Sequence, residues 1–282
     1  MKKVLQLTSL LLILLSSCSE NIEQKAAEHL NTAKAAFQTG SYNIAKQEID
    51  SIRILYPKAF ESRRQALELM RQVEEAEQLR TIAYEDSIIA KAQETFESIR
   101  GNYVYEKDEK YQDLGIYSIK SQAVTRNYER NYIRGQVDEH GRMTLISNWT
   151  GKAYVHHNRL RFSVGESYVE TEESDSRHEF TDLGIAYEKC SFTSKTDGGA
   201  AAFIAANRDS RIEIWQLGEK YRFQMVMNPA DREAIARLYD LSVVLSAIQE
   251  HQKLREEASR KLEFVRSKMN GESEEQTIQQ NQ

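Results

Sequence analysis

The chain has 282 residues, with 38 lysines and arginines against 43 aspartates and glutamates, a net charge of −5 at neutral pH. That balance, with no basic block, removes the electrostatic reason to seek nucleic acid. A hydrophobic content of 40% excludes a globally disordered chain, and two cysteines, Cys18 and Cys190, are too few for a disulfide framework.

Lys2 and Lys3 open the sequence, Leu10 to Leu15 form an unbroken apolar run, and small residues lead from it to Cys18. A charged start, an apolar run too short to span a bilayer as a mature helix, and a small-residue exit read as a secretory signal. Leu15-Ser16-Ser17-Cys18 resembles the lipobox of bacterial lipoproteins. The resemblance implies that residues 1–17 are removed, that Cys18 is acylated as the mature N-terminus, and that the lipid holds the protein in a membrane. Ser19 is similar to the residue that sends such proteins to the outer membrane. Glu20 and Glu23 resemble, in a thinner form, the acidic surface-export signal of the Bacteroidota, so periplasmic face and cell surface both stay open. With Cys18 acylated, Cys190 has no partner within the monomer, and it reads as a small buried strand residue.

From Glu23 to Phe37 apolar residues recur at helical spacing, through Ala26, Ala27, Leu30, Ala33 and Ala36. Gly40-Ser41 punctuates, and Ala45, Ile49, Ile52 and Leu55 resume the period until Pro57. Two helices joined by a tight glycine turn make an αα-hairpin in which Ala33 and Ala45 let the backbones approach closely. Ala33, Gly40, Tyr42, Ala45 and Pro57 resemble one tetratricopeptide repeat. His29 and Thr32 stand where that family carries an aromatic, and no second copy follows. A lone unit cannot bury its own face, so the hairpin is expected to pack on the next helix and not to form a peptide groove. Phe60 to Ile99 holds no proline or glycine and predicts one helix of about 60 Å, ended by Gly101.

Between Gly101 and Met227 lie both tryptophans and ten of the fourteen tyrosines, and alternation replaces the helical period. Leu160, Phe162 and Val164 alternate with polar neighbours, as do Tyr221, Phe223, Met225 and Met227. Turn residues separate the runs and predict seven or eight mostly antiparallel strands in a sandwich or curled sheet. Residues 199–207 predict a short helix on that sheet, with Asp197-Gly198-Gly199 as a hairpin turn. Asn228-Pro229 restarts a helix, with a wide apolar face to Ile248 and a thin stripe from Leu254 to Met269. The thin stripe predicts a two-helix seam with the Phe60–Ile99 helix, and Asn270-Gly271 predicts its end.

The reading is α+β. Residues 1–17 are the signal, 18–100 a helical hairpin plus long helix, and 101–227 an inserted antiparallel β module. Residues 228–270 are a long helix returning antiparallel along the first as a stalk, and 271–282 a disordered tail.

Catalytic motifs are sparse. His156 and His157 are adjacent on an expected strand, where neighbours face opposite ways and cannot share a metal. His140 falls in a turn, His178 in an acidic loop, and His29 and His251 on helices, so no metal or cofactor is expected. Gly165-Glu166-Ser167-Tyr168-Val169 lacks the second glycine of a nucleophile elbow. Two tryptophans stand out as recognition candidates. Ile212 and Ile214 take one face of their strand, leaving Trp215 beside Arg211 and Glu213 on the other, while Trp149 belongs to the tyrosine-rich region. A non-enzymatic, lipid-anchored envelope protein follows, its β module meeting a protein partner or an envelope component. Small-ligand or glycan capture is the alternative, and an envelope hydrolase ranks third.

Overall fold

A computed structural model describes the backbone over residues 22–280 and the side chains over residues 22–270. Cys18 and the signal-like run before it lie outside the described residues. Helix α1 covers residues 22–38, α2 Tyr42–Leu55 and α3 Phe60–Ile99. Ten strands follow among the described residues: β1 (Val104–Glu106), β2 (Ile116–Ser118), β3 (Tyr132–Asp138), β4 (Met143–Gly151), β5 (His157–Val164), β6 (Ser167–Glu170), β7 (Ser176–Asp182), β8 (Ile185–Thr193), β9 (Glu213–Gly218) and β10 (Arg222–Val226). Helix α4 (Ala200–Ala206) interrupts them, and α5 (Pro229–Gln280) closes the chain. The fold is α+β, with a helical hairpin, a long helix pair and an antiparallel β module inserted between the long helices. Its contacts divide it into two units, one ending at Asp86 and resuming at Lys253, the other Ser87–Gln252.

In the first unit Gly40 turns the chain in the left-handed region (φ +70°), where a side chain would be strained. Ala26, Leu30 and Ala33 of α1 and Ala45, Ile49 and Ile52 of α2 form one buried cluster with Ala66, Leu69 and Val73 of α3. The hairpin therefore buries its face on the following helix, as a single repeat-like unit must. Arg255 pairs with Asp86 and Arg266 with Glu75 (2.8 Å), so α3 and the end of α5 run antiparallel. The pairs are spaced by eleven residues on both helices, three turns, which keeps them on one seam. Ala258, Leu262 and Val265 are buried along the same stretch of α5.

The second unit holds two antiparallel sheets, ordered β1-β2-β3-β4-β8-β7 and β10-β9-β5-β6. Ile133, Leu145 and Phe192 of the larger sheet share one core with Leu160, Phe162 and Ile214 of the smaller. Ile204 of α4 and Ile235, Leu238 and Leu241 of α5 belong to the same core. Ala92, Phe96 and Ile99 of α3 pack against it, which is why the unit reaches into both long helices. Helix α5 starts as expected: the Asn228 side-chain oxygen accepts from the Ala230 amide at 2.8 Å.

Four expectations are corrected. The described residues hold ten strands and not seven or eight, since β1 and β2 are three residues each and too short to show a period. Asp197-Gly198-Gly199 is no hairpin turn: it leads from β8 into α4, and Asp197 caps that helix by accepting from the Gly199 and Ala201 amides. Helix α5 continues through Gly271 to Gln280, because one glycine costs only about 1 kcal/mol amid strong helix formers such as Glu272 and Glu274. His178 lies on β7, opposite Lys189, and not in a loop.

Ala45 is fully buried in the three-helix cluster. Ala45→Leu is expected to destabilise the first unit by about 1–3 kcal/mol through overpacking, read by hydrogen exchange over residues 22–55. Unchanged protection there contradicts the close approach of these helices.

Candidate functional site

Sequence alternation fails at one place that matters. Counting back from Phe162 and Leu160 puts His156 on the buried face, yet His157 occupies it. The register of β5 against β9 shifts between His157 and Arg159, a β-bulge, and His156 lies before the strand with a left-handed backbone (φ +57°). The two histidines are therefore not strand neighbours. His156 meets Glu179 at the surface, while His157 is fully buried.

Around His157 the four central strands meet. Its Nδ1 lies 2.6 Å from Glu188 Oε2 and its Nε2 lies 2.9 Å from Ser147 Oγ. Gln216 Nε2 donates to Ser147 Oγ (2.8 Å) and to the Asn148 carbonyl (3.3 Å), which fixes the amide orientation. The Ser147 proton is then free for His157 Nε2, leaving the Nδ1 proton for Glu188. Glu188 further accepts from the backbone amides of Val155, His156 and His157. Burial pushes its carboxyl pKa up, but hydrogen bonds from the His157 side chain and from the His156 and His157 amides outweigh it and lower the carboxyl from its ordinary value. Cys190 sits beside this group, its thiol donating to the His157 carbonyl and pushed by burial to about 12.

Serine, histidine and carboxylate stand here in the bonding order of a hydrolase triad. Ser147 and His157 are both fully buried, however, and Ser147 Oγ is already engaged by two partners. No substrate atom reaches that hydroxyl. The arrangement is a structural joint between sheets. No sequence motif marks it, because its members lie on four different strands.

Beside this joint, part of the outer face of the six-stranded sheet is open. The register sets Tyr132, Asn148 and Lys189 in one cross-strand row and Thr150, Tyr187 and Phe180 in the next. The Phe180 and Tyr187 rings stack, with centroids 4.8 Å apart and planes at 8°. A loop carrying Val124, Tyr128 and Arg130 lines the other side of a notch of about 190 Å³. Arg130 anchors that side through a bidentate pair with buried Asp231 (2.6 and 2.7 Å), and its guanidinium covers the Tyr132 ring at 4.6 Å. That pairing raises the Arg130 pKa. Tyr132 is 3% exposed, and its hydroxyl has no hydrogen-bond partner in the structure. Burial pushes its pKa up as well.

The adjoining β7–β8 hairpin tip is unusual. Leu183 is 95% exposed and holds a left-handed backbone (φ +47°), followed by Gly184 (φ +79°). A leucine there carries a conformational cost and leaves an apolar side chain in water. With Ile185, Phe180, Tyr128 and Val124, all exposed, it extends the apolar surface beside the notch.

The two tryptophans do not meet. Trp215 lies half-buried on the outer face of the smaller sheet, opposite Arg161 on β5 and Gln224 on β10. The Arg222 guanidinium lies 5.2 Å from its ring, and Glu213 takes up Gln224 (3.0 Å) and, more distantly, Arg211 (3.8 Å). Trp149 lines the notch, donates to the Ala153 carbonyl, and packs on Phe223, which pairs with Gln216 on the opposite side of that sheet from Trp215. Sequence reading placed Trp215, Arg211 and Glu213 on a charged face, where they are. It missed Phe180, Tyr187, Tyr128 and Tyr132, whose only signal was the excess of tyrosine in this region. Set against known families, curated proteins and solved structures, the chain matches none.

Glu188→Ala leaves His157 and three backbone amides, two of them buried, without their acceptor and is expected to cost about 3 kcal/mol or more, measured by urea unfolding near neutral pH. Because folding lowers the Glu188 pKa, its contribution is complete above the ordinary value of 4.5 and is lost as pH falls through the folded value. The variant should lack that part of the acid-side decline. Equal pH slopes in both proteins contradict this role.

Proposed function

We propose that this chain is a lipid-anchored, non-enzymatic recognition protein of a bacterial envelope. Acylated Cys18 would hold it to a membrane, with the outer membrane as the expected site, and the β module would engage a protein partner. The anchor rests on the Leu15-Ser16-Ser17-Cys18 motif. No helix among the described residues is long and apolar enough to cross a membrane.

The observation that carries the recognition reading is the aromatic notch with its exposed apolar rim and hairpin tip. Its size supports the first of the two leading readings. Pockets that engulf a free small molecule usually exceed about 300 Å³, whereas this one holds about 190 Å³. A notch of that size suits one protruding side chain of a larger partner. The unpartnered Tyr132 hydroxyl favours an occupant bearing a polar atom, and so keeps a second reading, capture of a single sugar unit of an envelope glycan.

Photocrosslinking from position 183 in intact cells tests this. Replacing Phe180 and Tyr187 together by alanine is expected to cut capture of the crosslinked protein at least ~10-fold, as removal of an interface anchor does. Undiminished capture at an unchanged melting temperature argues against the notch. Enrichment of glycan alone moves the assignment to the second reading.

A further inference from the structure

The most exposed apolar side chains of the helical hairpin and its turn into α3 cluster at one end. Helices α1 and α2 run antiparallel, so the first turn of α1, the last turn of α2 and the first turn of α3 lie together. Glu23 Oε1 accepts from the Ser62 amide at 2.7 Å, Tyr56 packs against His29, and Ile22 packs on the helical core. At this end Phe60 is 75% exposed, Ile54 66% and Leu55 60%. Arg53, Lys58 and Arg63 stand exposed among them, and the Arg63 guanidinium caps the turn at the Pro57 carbonyl (2.8 Å). The other end, at Gln38 and Thr39, lies about 24 Å away along α1 and presents these polar residues with one exposed aliphatic side chain, Ile44.

Cys18 precedes Ile22 by four residues, a covalent reach of at most about 14 Å. We infer that the α2–α3 turn, through Ile54, Leu55 and Phe60, seats this end of the helical unit on the lipid bilayer that receives the acyl chains of Cys18. The inference rests on the lipid-anchor reading and goes beyond it. The lipid supplies attachment, while the turn supplies a second contact that gives the unit a defined orientation. Apolar side chains flanked by arginine and lysine suit the boundary between headgroups and acyl chains. An aqueous surface gives no reason to cluster three large apolar side chains beside the tether.

The test uses the mature, acylated full chain with Phe60→Cys carrying an environment-sensitive fluorophore, compared with Gln38→Cys labelled in the same way. Cys190 stays silent because it is fully buried with a thiol pKa of about 12. On vesicles of phosphatidylethanolamine and phosphatidylglycerol, the dye at position 60 should shift to the blue and be quenched by nitroxide-bearing lipids. The dye at position 38 should do neither. Vesicle-bound protein whose two dyes both report water overturns the seating and leaves the anchor standing. A blue shift at position 60 without quenching by lipid places the turn against protein and also overturns it. Failure of the acylated chain to float with vesicles overturns the seating and the anchor together.

Discussion

The β module depends on one buried carboxylate. Glu188 projects from β8 of the larger sheet and receives the amide and imidazole of His157 on β5, which belongs to the smaller one, and the amides of Val155 and His156 just before that strand. Ser147 of β4 and Gln216 of β9 complete the joint, so each sheet contributes two strands. Removing a carboxylate from water costs several kcal/mol unless donors replace the lost solvation, and here four donors do so. Those donors arrive because the chain bulges after His157 and bends left-handed at His156. The local strain at His156 is the geometry that brings three successive amides to one acid. The same burial that makes the joint strong closes it to substrates, so an assembly with the composition of a hydrolase triad serves as a fastener.

Much of the architecture was legible because period and punctuation agree. Proline- and glycine-free runs with strong helix formers specified the long helices, and Asn228-Pro229 specified a helix start with its cap. Alternation at Leu160, Phe162, Ile212 and Ile214 located the dry faces correctly. What escaped detection depended on contacts distant in sequence or on single irregular residues. A bulge moved the buried position from His156 to His157, which no count of alternation can anticipate. The joint draws on residues 147, 157, 188 and 216, and only strand order brings them together. The aromatic notch likewise required knowing that β7, β8, β4 and β3 are neighbours. Trp215 was legible as the outward member of its strand, but its separation from Trp149 by the sheet itself was not.

The proposed recognition and attachment would fall on features of different origin. The β module offers an outer face with stacked rings, a cationic wall held by Asp231, and a leucine at a hairpin tip. The helical unit offers a small-residue hairpin, a seam closed by Arg255 and Arg266, and an apolar end beside the tether.

The proposed attachment stands or falls on Cys18. The most direct measurement is the intact mass of the protein extracted from membranes of cells that make it. The account predicts a chain beginning at Cys18 and heavier than its peptide by a diacylglyceryl group, with or without a further acyl chain on the new amino terminus. A chain that retains residues 1–17, or one that begins elsewhere with the Cys18 thiol unmodified, contradicts it.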